Sequence, residues 1–136
     1  MDPFSITGTC VGLVATIATL TQQITQFVGD VRDSARDMGA IRRELSDLSF
    51  VVERLRDDTS GGNIQYPADL QERLPEVLTN CEDVMTDIQT VLQKMSSGKM
   101  KRMQWAATGQ TEVKKLKSRL NAHKMTIEMA LSMITL

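Results

Sequence analysis

Few residues in this 136-residue chain have the type and spacing that catalysis needs. The only histidine, His123, falls on an apolar helical stripe with no obvious carboxylate partner, and a general base needs one to orient it. Cys10 and Cys81 belong to no CxxC pair and have no histidine nearby, so they read as small buried hydrophobes in a reducing compartment. One histidine and two distant cysteines fail a metal site on count and on spacing. The carboxylate pairs Asp57–Asp58 and Glu82–Asp83 are sequence neighbours, which point apart on a helix and suit a solvated face. The Gly-Gly loop DDTSGGNIQ (57–65) has neither the lysine nor the preceding strand of a phosphate-binding loop. These residues predict no enzyme, no cofactor and no metal.

Charge is distributed unevenly. Residues 1–93 carry 7 basic and 15 acidic side chains, whereas residues 94–136 carry 9 basic and 2 acidic ones. Lys99, Lys101 and Arg102 head the basic part and form a candidate patch for anionic lipid. A face that pairs with the acidic helices explains the same pattern. Nucleic acid is the poorer partner, because the rest of the chain is acidic and only Trp105 lies among the cations.

The element that must position all of this is the first. Phe4 to Val28 has no charged side chain in a chain that is 24% charged. Ile6, Cys10, Leu13, Ile17, Leu20, Ile24 and Phe27 recur at steps of four and three, which makes one apolar helical stripe. Gly8, Gly12, Ala15 and Thr19 make a second stripe of small residues, and Gly8 with Gly12 has the spacing that lets another backbone come close. Such a helix suits the centre of a bundle, with neighbours on most sides. It is also long enough to enter a bilayer, although six threonines, Gln22, Gln23, Gln26 and Ser5 make it a poor permanent anchor. The two roles are compatible if the helix is buried first and released later.

Three further helices follow. Ser34 to Asp37 has the form of a capping box and opens a helix over about 34–58, with Met38, Ile41, Leu45, Leu48, Val52 and Leu55 as its apolar stripe. Pro67 can open the third, in which Leu70, Leu74, Val77, Cys81, Val84, Ile88, Val91 and Met95 run to about Ser96. Pro75 predicts either a kink or a short leading helix. Lys99 to Ala107 forms a short extra helix or the first turns of the last, with Trp105 packed inward as a structural residue, and Gly109 interrupts it. From Thr111, Val113, Leu116, Leu120, His123, Ile127, Leu131 and Ile134 continue to the end. The expected fold is all-α: one antiparallel four-helix bundle over residues 1–136, with a short extra helix before the last. The apolar ending MALSMITL suggests the N-terminal part of a longer protein.

The segments MDPFSIT, DVRDSARDMGAIRRELSDL, NCEDVMTDIQTVLQKM and MQWAATGQTEVKKLKSRLNAHKMTIEMALSMI together resemble the N-terminal helical domain of fungal NLR-like (STAND) proteins, the HeLo-like group. The resemblance covers nearly the whole chain. Its most specific parts are the MDPFSIT start and the segment from Trp105 to Gly109 with the helix that follows. It implies an effector domain of programmed cell death, as in heterokaryon incompatibility and innate immunity. Oligomerisation would release the N-terminal helix, which attacks the plasma membrane. Carried onto this chain, the membrane-active residues are Ile6, Gly8, Gly12, Leu13, Ile17 and Leu20. The resemblance further implies self-association on activation, downstream domains, and a cytoplasmic protein that relocates to the membrane. The alternative is a non-lytic helical module that restrains a larger receptor or joins it to partners.

Overall fold

A computed structural model describes residues 3–60, 66–96 and 109–133. They form four long helices, α1 (Pro3–Asp30), α2 (Ala35–Ser60), α3 (Ala68–Ser96) and α4 (Gln110–Ser132), in the expected all-α bundle. The proposed extra helix over 99–107 and the Trp105 position lie outside the described residues.

α1 passes through Gly29 without ending, and a tight turn carries the chain directly into α2. The amide of Val31 donates to Phe27 O (2.7 Å) and that of Ser34 to Val31 O (3.0 Å), which winds Arg32–Ser34 into a single 3₁₀ turn. The expected capping box is absent. Ser34 is fully buried and its hydroxyl donates back to the Val31 carbonyl instead of accepting from an amide of α2, while the turn's own carbonyls take the amides of Ser34 (Val31 O) and Ala35 (Arg32 O). At the start of α3, the Pro67 carbonyl accepts from the amides of Leu70 and Gln71, and the Gln71 side chain donates to Tyr66 O. α3 then continues through Pro75 as one helix, not as a short helix followed by a long one. Gly109, expected to interrupt the chain, has helical dihedrals (φ −60°, ψ −44°) and is buried at the head of α4.

Consecutive helices run antiparallel. Thr7 bonds Thr59 and Arg42 bonds Thr25 across α1 and α2, and Arg119 meets Asp87 across α3 and α4. α1 packs on α2 and α3, and α4 packs on the same two, so the ring order is α1, α2, α4, α3. α2 and α3 therefore stand at diagonal corners of the bundle. As a result, α1 lies parallel to α3 and α2 parallel to α4.

The core is a single apolar cluster to which every helix contributes. The seven stripe residues of α1 are all at most 3% exposed, and all six predicted for α2 are buried. α3 is turned from its expected phase. Leu74, Leu78, Cys81, Val84, Met85, Ile88 and Leu92 fill the core, while Leu70, Val77 and Val91 stand at its edge. On α4, Val113, Leu116, Leu120, Ile127 and Ala130 are buried, and His123 and Leu131 are half-buried.

Candidate functional surface on the first helix

α1 does not occupy the centre of the bundle. Among the described residues it packs chiefly on two helices, α2 and α3, and only 28% of its most apolar window is buried. The proposed membrane-active residues fall on two faces. Ile6, Leu13, Ile17 and Leu20 point into the core, whereas Gly8 and Gly12 face outward. The expectation that these glycines admit a neighbouring helix is overturned for this fold: a Cβ added at either one would meet nothing within 4 Å. The small stripe, with Ala15 and Thr19, is open surface.

That surface carries no charge from Ile6 to Gly29. Val11 is 51% exposed within it. The threonines hide part of their polarity, because the hydroxyls of Thr16, Thr19, Thr21 and Thr25 donate to the carbonyls of Gly12, Ala15, Ile17 and Thr21, four residues back. A hydroxyl bonded this way does not need water for its proton. α1 is the one helix among the described residues long and apolar enough to cross a membrane by length and composition.

Beside this face, α1 and α2 border an open groove of about 760 Å³, with Val14, Ile17, Ala18 and Thr21 on one wall and Arg42, Ser46, Phe50 and Glu53 on the other. Phe50 is 62% exposed on its rim. Sequence reasoning passed over this aromatic, and the available signal was its phase: it lies two residues from both Leu48 and Val52, on the polar side of α2.

The other candidates resolve differently. Lys99, Lys101, Arg102 and Trp105 lie outside the described residues. Of the remaining cations in the basic part, Arg119 pairs with Asp87 at 2.6 Å and Lys124 is shared between Glu44 (3.6 Å) and Asp47 (3.8 Å) of α2. Part of that charge therefore holds helices together. Burial pushes the Cys10 thiol up to about 11 and the Cys81 thiol up to about 12, so both are protonated, inaccessible hydrophobes. Burial, and then the like charge of Arg119 one turn away, lowers the His123 pKa below its usual value. Among the described residues no three His, Cys, Asp or Glu side chains group as metal ligands.

An all-helical domain whose first helix carries an uncharged outer face is the class of protein these features define. The chain belongs to the family described as pigment biosynthesis cluster protein PigL N-terminal, which matches residues 1–136. This agrees with the coarser part of the resemblance, a fungal helical N-terminal domain. Comparison with curated proteins gives no match, and comparison with solved structures gives none.

Proposed function

We propose that this domain is a non-enzymatic effector or signalling module of the HeLo-like kind, belonging to a fungal intracellular NLR-like receptor. It acts by self-association in the cytoplasm and by perturbing the plasma membrane through α1, with cell death as the outcome. The observation that carries this reading is the water-facing side of α1, uncharged over more than twenty residues in a bundle whose other helices expose charge. Back-bonded threonines lower the cost of moving that side out of water. The buried thiols favour a role without catalysis.

Packing energetics constrain how α1 acts. Its seven buried apolar side chains contribute about 1.5–3 kcal/mol each, roughly 10–20 kcal/mol together. A whole domain is stable by only about 5–15 kcal/mol. Release of α1 is thus equivalent to unfolding unless lipid or a second copy takes over the exposed stripe, so membrane contact or oligomerisation must accompany it.

Dye release from vesicles by the domain fused to an inducible oligomerisation module tests the proposal. Leakage is expected on induction, and Ala15→Glu, on the open face, should abolish it while leaving helical content unchanged. If the wild-type fusion leaves vesicles of every lipid composition intact, the membrane reading falls and the non-lytic interaction module replaces it.

A further inference from the structure

Three of the chain's nine methionines are neither core residues nor scattered. Met125 and Met129 on the outer side of α4, and Met133 at its C-cap, recur every fourth residue and are 57%, 64% and 48% exposed. Met38 and Met85 show the contrasting use, buried as gap-fillers at 1–2% exposure. The ladder is out of phase with the buried line Leu120, Ile127 and Ala130, so packing does not account for it. Ala122, Thr126 and Ser132 beside it are uncharged and exposed, and Glu128, three residues after Met125, is the one exposed charge on its flank among the described residues of α4.

We propose that this ladder is a binding site for a soft monovalent metal ion of the copper(I) class. Residues four apart on a helix lie about 6 Å apart along the axis, on one face. Helical side chains also lean toward the N-terminus. Met125 shows this lean, with its sulfur accepting from the Asn121 amide one turn back at 3.6 Å. The same lean in Met129 would carry its sulfur toward the turn of Met125, and Met133, whose amide still bonds the last turn of α4 through Ala130 O, stands one turn beyond Met129. Three rotatable bonds per side chain let each adjacent pair close on an ion. Thioethers are neutral and soft, so they select copper(I) over zinc, magnesium or calcium, which want imidazole, thiolate or oxygen. Met129 belongs to both pairs. The ladder therefore holds one ion, and Met129 is its indispensable ligand.

Silver(I), a redox-inert stand-in for copper(I), gives the test. With the protein labelled at its methionine methyl groups, silver nitrate is added in steps and followed by NMR, the ladder signals being assigned from Met125→Leu, Met129→Leu and Met133→Leu. The expected result is that the three ladder methyls shift together and saturate at one equivalent. Met129→Leu should abolish the shifts, whereas either end variant keeps one pair and weakens binding about tenfold or less. Leucine preserves helix propensity and apolar bulk, so folding is not in question. Unmoved ladder methyls, unimpaired binding by Met129→Leu, or a response confined to Met100 and Met103 would overturn the proposal. So would loss of the helical circular dichroism signal, which would mean that the buried thiols capture the ion first.

Discussion

Tyr66 illustrates how single groups in this fold depart from ideal pairing. It is 8% exposed, and its hydroxyl has no hydrogen-bond partner among the described residues. Burial, then the charges of Asp58 and Cys10, push its pKa up to about 12, so it stays a neutral phenol. A buried hydroxyl without a partner costs more than it contributes, so Tyr66→Phe should raise stability by about 1 kcal/mol in urea unfolding; a loss would show that the hydroxyl is satisfied. His123 gives a pH signature. Its folded pKa is depressed, so the unfolded chain binds the proton more readily, and protonation favours unfolding. Stability is therefore unaffected well above pH 6.5 and declines as pH falls through 6.5 toward the folded value. His123→Gln should flatten that part of the stability profile, as followed by thermal melts between pH 7.5 and 5. Neither effect could be read from the sequence, which shows that residue 123 is on the apolar side but not how much water reaches it.

At the scale of the helix, α1 separates two duties onto two faces. Gly12 has no packing neighbour, so Gly12→Ala should stabilise the helix by up to about 1 kcal/mol, and Gly12→Leu should fold without strain; a lowered melting temperature for Gly12→Leu would contradict the open face. Leu13 on the inner face is 2% exposed, and Leu13→Ala should cost about 2–5 kcal/mol. The inner stripe was legible in the sequence because charge is absent and the three-four spacing has one solution. The outer face was not. A stripe of small residues reads the same whether a backbone lies against it or water does. α3 shows a second limit: Leu70, Val77, Val84 and Val91 form one seven-residue row, of which only Val84 is fully buried, and Leu78, Met85 and Leu92 form another, both flanking Leu74, Cys81 and Ile88. Only the directions of α1 and α4 decide which row is buried along its whole length. The methionine ladder was visible as spacing, but methionine suits a core as well as a surface, so its exposure had to come from the fold.

Across the whole bundle, α4 and α1 occupy opposite corners and share both neighbours. Removing residues 1–30 would leave α2, α4 and α3 in contact but strip the inner stripe from them. The truncated chain should keep helical signal and lose its cooperative thermal transition, since the missing burial matches the stability of a domain; a sharp melt would show that α1 is dispensable to the core. The diagonal placement of α1 and α4 has a mechanical counterpart. The contact of Thr7 with Thr59, and the parallel course of α2 and α4, put the beginning of α1 and the end of α4 at the same pole. A tension applied between them runs across the helices rather than along them, so α1 peels from its N-terminal end turn by turn, as a zipper opens, and never has to slide past its neighbours all at once. Its tight turn at Val31–Ser34, at the far pole, is then the last part of the α1–α2 hairpin to feel the load.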